Sequence, residues 1–352
     1  MEVGEGRMVI LVLSIVVGVV VLGGLGLWLR SRRPESPRPV RRSRAAELEA
    51  MDLTNERVSV LASTLSDVDA ALLWFAMGKG RTPPTQEELP AVVARALQRI
   101  EDGVLSGETL PRRPQLLPQL MGTLNAPGSN AAALAAIIGQ DPALSASLLR
   151  IANSAAFRRS RQPMDNLERV VVKVGNEGLE NLLASALVQP VLELEDSDHR
   201  RMAAVLWRHG QLASSAAADH ARRVQRIDPL PLHLVALLPA LANLLVVRSL
   251  ARLSNQPLDD AGQLQLLQRS QYGLSSEIAA RWELPADMVK ALQQQQGPAW
   301  ESLQFGRRFA WAWMQVEQGQ HTAAEAREAL STAAPQSVVE AIWHQQEQKI
   351  AH

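Results

Sequence analysis

The feature that most restricts the fold is a succession of short segments, each with its own helix-start and helix-stop signals, from residue 108 onward. Residues 140–157, QDPALSASLLRIANSAAF, show the pattern: Asp141 can cap a helix, Pro142 suits the first helical position, and apolar residues follow at helical spacing. The sequence contains no fixed-period repeat and no alternating strand and helix pattern. Aromatic residues make up only 4% of the chain, and this favours helices packed through small and aliphatic side chains. The sequence therefore predicts an all-α fold.

The same signals place individual helices. Thr85 and Glu88 form a capping box for a helix at 86–102, and a capping box before Val170 with a stop at Gly175 makes the run VVVKV helical. Pro239 should kink or divide the apolar run after Asp228. Further helices are expected at 45–77, 198–224, 258–270, 275–283, 285–296, 299–318, 322–331 and 336–350.

Residues 8–29, MVILVLSIVVGVVVLGGLGLWL, carry no charge and predict a single transmembrane helix. Twenty-two residues at about 1.5 Å each give about 33 Å of helix, enough to cross a hydrocarbon core. A cleaved signal peptide is the alternative, but that would place basic residues first, whereas here Glu2 and Glu5 precede the apolar run. Ser14 and Gly18 form a small-xxx-small pair that could mark a homodimer face.

Seven arginines lie between Arg30 and Arg44, in a proline-containing stretch that reads as an extended linker, residues 30–44. Basic residues beside a span stay on the cytoplasmic side, so we expect the N-terminus outside and the remainder in the cytoplasm of a bacterium, at its inner membrane. The formal net charge is zero, so beyond these arginines the chain is mildly acidic, and nucleic acid is a poor partner. The expected divisions after the linker are 45–107, 108–300 and 301–352.

Within residues 141–154, the motif DPAL is followed by LLRIANS. These motifs belong to a wider pattern made of Leu110-Pro111, Pro114, Asn125, Pro127, Ser129, Asp141–Leu144, Leu148–Arg150, Ala152–Ser154, Phe157, Val174-Gly175, Leu179, Leu182, Trp207–His209, Trp282, Leu284-Pro285 and Ala291. Through these residues the sequence from about 110 to 300 resembles the HDOD family of bacterial signalling domains. The spacing of DPAL and LLRIANS is the most specific part of the resemblance.

The resemblance implies kinship with the HD phosphohydrolases, helical enzymes that bind divalent metal with histidine, an adjacent His-Asp pair and a later aspartate. His209 falls at the first such histidine, but the His-Asp position reads Pro239-Ala240, and two family histidines correspond to Gln271 and the run 293–296, all glutamine. Neutral amides are weak ligands for transition metals, and proline and alanine side chains are not ligands.

Substitute ligands are not evident in the sequence. His209 and His220 share a helix face but lie about 16 Å apart, too far for one ion. The remaining histidines, His199, His233, His321, His344 and His352, show no i, i+4 spacing. With no cysteine in the chain, thiolate and zinc–cysteine chemistry is excluded. We therefore predict no catalytic, metal or cofactor residues, and a partly buried or surface position for His209.

Several residues have a structural and a functional interpretation. Asn153 and Ser154 could perform chemistry, but a role in fastening one helix to its neighbour is favoured. Arg150 with Arg158-Arg159 could form an anion site or be solvated. The tryptophans at 300, 311, 313 and 343 could form a binding face, but core positions are favoured. The glutamines at 293–296 fit either a solvated helix face or a polar contact surface.

These observations favour a non-catalytic, membrane-tethered signalling module that binds other proteins, with no cofactor. Two alternatives stay open: a divergent metal-dependent phosphohydrolase of nucleotides or cyclic dinucleotides, and a nucleotide sensor without turnover.

Overall fold

The computed structural model describes residues 44–80, 83–84, 90–105, 115–124, 126, 131–153, 164, 166–188, 197–253 and 258–351. The predicted span 8–29, most of the linker 30–44, the Thr85–Glu88 capping box and Ser154 lie outside the described residues. The described residues form helices joined by turns, without a strand among them, and this confirms the all-α prediction.

The helices follow one another along the chain with short connections. They are α1 (Arg44–Ser66), α2 (Val68–Ala76), α3 (Ala91–Leu105), α4 (Leu117–Leu124), α5 (Ala131–Ile138), α6 (Pro142–Ala152), α7 (Leu167–Val188), α8 (Ser197–His220), α9 (Pro229–Val235), α10 (Leu238–Leu253), α11 (Asp260–Arg281), α12 (Ala286–Gln294), α13 (Pro298–Glu317), α14 (Ala323–Leu330) and α15 (Gln336–Ala351). A π-helical turn, Ala221–Gln225, extends α8.

The chain divides into two units, residues 1–53 and 54–352, and the second contains the hydrophobic core. Within that second unit α1 and α2 meet at Asp67 with a bend of 91°. The Asp67 carboxylate accepts a hydrogen bond of 3.1 Å from the Ala70 amide and so caps α2. A turn follows α2, with Gly78 and Gly80 at φ values of 80° and 106°.

Helices α8 and α13 form the central pair of the fold, and small residues bring their backbones together. An ideal Cβ built on Gly306 of α13 would lie 2.4 Å from the carbonyl oxygen of Ala213 and 2.7 Å from the Cβ of Ala217, both in α8. Only glycine fits at this contact. The alanine-rich composition noted in the sequence thus has a direct packing role.

The apolar run after Asp228 forms α9 and α10, which lie inside the second unit. Pro239 is the second residue of α10, where its missing N–H does no harm, and this confirms that the run is divided there. Among the described residues, Pro229–Leu250 is long and apolar enough to cross a membrane, as are α1 and α2 if the bent pair is counted as one span. The apolar window of Pro229–Leu250 is buried within the protein. Burial in a protein core therefore accounts for its hydrophobicity.

Most predicted helix ends agree with the structure within a few residues. Helix α3 begins at Ala91, directly after Pro90, and the start predicted at residue 86 lies outside the described residues. Residues 258–270 and 275–283 were predicted as separate helices, yet α11 runs unbroken from Asp260 to Arg281. Gly273 adopts helical geometry there, and the Ser275 hydroxyl donates a 2.6 Å hydrogen bond to the carbonyl of Gln271 within the helix. The predicted stop at Gly175 is confirmed by its φ of 68°, which breaks α7 into two segments.

Candidate functional site

Asn153 joins the end of α6 to the chain that leads into α7. Its side-chain amide donates to the carbonyl oxygens of Leu149 at 2.9 Å and Met164 at 2.7 Å. Its side-chain oxygen accepts from the Met164 amide, also at 2.7 Å. These three bonds confirm the fastening role predicted for Asn153. Asp141 caps the same helix as predicted, accepting from the Leu144 amide at 3.0 Å.

His209 lies deep in the core, with only 1% of its surface exposed, so the prediction of a partly buried or surface position was wrong. Its Nε2 lies 3.0 Å from the carbonyl oxygen of Arg307 in α13, and a carbonyl partner requires that Nε2 carry the proton. Burial, together with the nearby Arg307 cation, lowers the pKa of His209 to about 3, against a weaker raising effect of that hydrogen bond. The imidazole is therefore neutral near pH 7 and links α8 to α13.

Pro239 and Ala240 lie where the family's His-Asp pair would fall, and they belong to a contact between two helices. Pro239 and Ala240 begin α10, directly against α8: an ideal Cβ on Gly210 would lie 3.3 Å from Cδ2 of Leu237 and 3.8 Å from the Cβ of Ala240. Neither Pro239 nor Ala240 has a side-chain donor atom for a metal.

Gln271 lies at another histidine position of the family, and its side chain also contacts a neighbouring helix. Its Oε1 accepts a hydrogen bond of 3.2 Å from Nδ2 of Asn243, so an amide pair bridges α10 and α11. Both side chains are buried. In the part of the chain that the structure describes, no group of three His, Asp or Glu side chains is arranged to hold a metal ion. The donor set around His209 does not fit the divalent metal of the HD phosphohydrolases.

A buried ionic network, which was not predicted from the sequence, lies close to His209. The fully buried guanidinium of Arg307 pairs with the Asp69 carboxylate of α2. The hydroxyl of Tyr272 in α11 donates to the other Asp69 oxygen at 2.6 Å, and the Arg307 guanidinium carbon lies 5.7 Å from the centre of the Tyr272 ring. The network therefore joins α2, α11 and α13.

Burial and neighbouring charges shift the pKa values of Arg307 and Tyr272. Burial by itself would lower the pKa of Arg307, but the Asp69 carboxylate and Tyr272 together outweigh that effect and raise it. Burial raises the pKa of the Tyr272 phenol well above its ordinary value, and Arg307 opposes this only in part. Arg307 is thus charged and Tyr272 protonated across the pH range in which proteins are normally handled. Asp69 lies more than 200 positions from its partners in the sequence, which is why sequence reasoning missed the network.

The predicted core role of the tryptophans is confirmed for three of the four. Trp311, Trp313 and Trp343 are buried, and Trp313 and Trp343 pack with their ring centres 4.6 Å apart. Trp300 is half-buried and meets the Tyr272 ring edge-on at 4.9 Å. Phe305 continues the aromatic cluster and stacks on His220, whose pKa burial lowers to about 4 despite the opposing charge of Glu301.

A cleft of about 680 Å³ lies between α3, α11 and the end of α12. Leu97, Tyr272 and Leu292 contribute apolar surface to it, and the glutamines at 268, 293 and 295 contribute amides. The sequence left open whether the run of glutamines at 293–296 was a solvated helix face or part of a contact surface. In the structure all four glutamines are exposed, and two of them also line this cleft.

The chain belongs to the HDOD family, because the HDOD domain matches residues 110–298. A crystal structure from Shewanella amazonensis SB2B, named as a candidate metal-dependent phosphohydrolase, is 16% identical, covers 74% of this chain and 98% of its own, and has a TM-score of 0.50. An HDOD domain protein with unknown function from Geobacter sulfurreducens is 17% identical over 74% of this chain and 96% of its own, with a TM-score of 0.49. At these identities the likeness to solved structures shows the fold alone.

An uncharacterized protein of Treponema pallidum (strain Nichols) is 29% identical over 132 residues, which is 38% of this chain. The match spans about a quarter, 24%, of the length of the Treponema protein.

Proposed function

We propose that the chain is a non-catalytic signalling module, tethered to the bacterial cytoplasmic membrane, that acts by binding other proteins. Membership of the HDOD family supports a domain related to the HD phosphohydrolases, but a fold does not by itself determine a function. The proposal therefore depends on the chemistry of the residues that lie where the HD phosphohydrolases have their metal ligands.

The observation that carries the proposal is the use of these residues as helix contacts. His209 is neutral and donates to a backbone carbonyl, Gln271 accepts from Asn243, and Ala240 packs beside Gly210. A metal centre needs several imidazole and carboxylate groups at about 2.0–2.2 Å from one ion, with an open position for water. His209, Gln271 and Ala240 instead make contacts between neighbouring helices.

The membrane tether is proposed from the uncharged segment 8–29 and the arginines that follow it. Such a tether would keep the helical domain near the inner face of the membrane, where its protein partners are to be sought. Protease protection in membrane vesicles of known orientation tests this arrangement, since the domain should be digested only in vesicles with the cytoplasmic face outward.

The catalytic alternative is tested with the purified full chain in detergent. We expect no stoichiometric metal by elemental analysis and no hydrolysis of bis(p-nitrophenyl) phosphate or cyclic dinucleotides above buffer, with Mn²⁺, Fe²⁺ or Mg²⁺ supplied. The His209→Ala variant should behave as wild type in both measurements. One bound metal ion per chain, lost together with hydrolysis in His209→Ala, would contradict the proposal and favour the phosphohydrolase.

The nucleotide-sensor alternative has a separate test. Calorimetric titration of the full chain with cyclic dinucleotides should give no binding heat at micromolar ligand. Saturable heat without hydrolysis would favour a sensor over a module that binds proteins alone.

A further inference from the structure

The cleft between α3, α11 and α12 presents an ordered set of charges along one row of α11. Arg269, Gly273 and Glu277 follow at intervals of four residues, so they lie along one side of the helix. All three line the cleft. Eight residues of helix separate Arg269 from Glu277 by about 12 Å. The cleft therefore has a cation at one end and a carboxylate at the other.

Neither charge is neutralised within the protein. Arg269 and Glu277 are exposed, and neither side chain has an ion-pair or hydrogen-bond partner among the described residues. In contrast, Lys79 pairs with Asp260 at 2.6 Å and Arg208 pairs with Glu317 at 2.6 Å elsewhere on the surface. The two charges at the cleft are thus available to an outside molecule of complementary charge.

The middle of the cleft has room for an apolar side chain. A Cβ added at Gly273 would meet no atom within 4 Å, so the surface is open midway between the two charges. Tyr272 and Leu292 supply apolar surface beside it, while Gln268 and Gln293 supply amides. Amide side chains both donate and accept hydrogen bonds, as do the backbone groups of an extended peptide. The volume of about 680 Å³ lies within the range of about 300–1,000 Å³ typical of binding clefts.

We propose that this cleft binds an extended polypeptide segment of a partner protein, with the pattern acidic–x–apolar–x–basic. In an extended segment, residues i, i+2 and i+4 point to one side, and i to i+4 spans about 13 Å. That length matches the rise of about 12 Å between Arg269 and Glu277. The acidic side chain pairs with Arg269, the basic one with Glu277, and the apolar one lies over Gly273. This inference rests on the proposed function and names the surface and the partner chemistry.

The test uses the full chain in detergent and the probe acetyl-Ser-Glu-Ser-Leu-Ser-Arg-Ser-amide, labelled for fluorescence anisotropy. We expect saturable binding below about 1 mM, about fivefold weaker when Gln replaces both charged residues of the probe, and weaker again at high salt. In a series with the Glu and the Arg two, four or six residues apart, the tightest binding should occur at four. No binding, or equal binding across these probes, overturns the proposal.

Two protein variants assign the binding to the cleft. Arg269→Glu should reverse the preference, binding a probe with Arg at both charged positions more tightly than the original, because two carboxylates then flank the cleft. Gly273→Phe places a ring at the open centre, where its Cβ meets nothing within 4 Å, and should abolish binding while leaving the unfolding temperature near that of wild type. Undiminished binding by Gly273→Phe shows that the probe lies elsewhere and overturns the proposal. These results are independent of the metal and hydrolysis measurements, which decide the proposed function itself.

Discussion

Replacing Gly306 by alanine tests the close contact between α8 and α13. The new Cβ would lie 2.4 Å from the Ala213 carbonyl oxygen and 2.8 Å from the Ala217 amide nitrogen, whereas ordinary contacts begin at 3.4 Å. The atoms it meets in both cases belong to the backbone of α8, so no side-chain rotation relieves the overlap. Helices α8 and α13 must move apart by about 1 Å, and this opens the packing on either side of the contact.

The cost follows from two opposing effects. Overpacking in a close-packed core costs typically about 1–3 kcal/mol, and a clash with backbone belongs at or above the upper end. Alanine in place of glycine within a helix returns up to about 1 kcal/mol through its better helix propensity. We expect a net loss of about 2–3 kcal/mol, or a fall in Tm of about 3–5 °C for a unit of this size.

Thermal unfolding followed by circular dichroism at 222 nm, on the full chain in one detergent, gives the measurement. Gly273→Ala is the matched control, because it makes the same substitution inside a helix at a site where the new Cβ meets nothing within 4 Å. The control should raise the Tm slightly. If Gly306→Ala unfolds at or above the wild-type temperature, the argument that α8 and α13 need glycine at their contact is refuted.

Three further predictions concern the buried polar groups. His209 and His220 have pKa values lowered to about 3 and about 4 in the folded protein, against about 6.5 when unfolded, so their contribution to stability is complete above pH 6.5 and is lost as the pH falls towards 4. Urea unfolding at several pH values should show a decline approaching about 1.4 kcal/mol per pH unit for each histidine, and a shallower decline in His209→Gln. Asp69→Asn leaves Arg307 buried without its counter-charge and should cost about 3–5 kcal/mol in urea unfolding, whereas adding Arg307→Met should recover much of that loss. Asn153→Ala removes two hydrogen bonds between the end of α6 and Met164, before α7, and a third to Leu149 within α6, and should cost about 1–3 kcal/mol. An unchanged urea midpoint would contradict the fastening role.

Local signals in the sequence predicted much of the helical fold. A helix start or stop signal affects only the few residues around it, so it can be recognised from the sequence alone. This holds for the start at Asp141-Pro142, the stop at Gly175 and the division at Pro239. Gly273 shows the limit of this approach, because glycine in a helix is only weakly unfavourable and the packing of α11 overrides it.

The candidate site was less accessible from the sequence, because its contacts join distant parts of the chain. The resemblance to the HDOD family placed Ala240 and Gln271 at positions where the HD phosphohydrolases have metal ligands. Their side chains are poor ligands or none, and this could be recognised from the sequence. The pairing of Asp69 with Arg307, and the depth at which His209 lies, depend on how α2, α8 and α13 come together. A charged residue within the apolar run of α13, Arg307 in FGRRFAWAW, was the one sequence signal that a buried counter-charge had to exist.

The length and composition of the apolar pair α9 and α10 would also suit a membrane span before the chain has folded. His233, Pro239 and Asn243 would make lipid a costly environment for this stretch. If the chain is tethered to the membrane as proposed, rapid packing of these two helices into the core would keep them out of the bilayer.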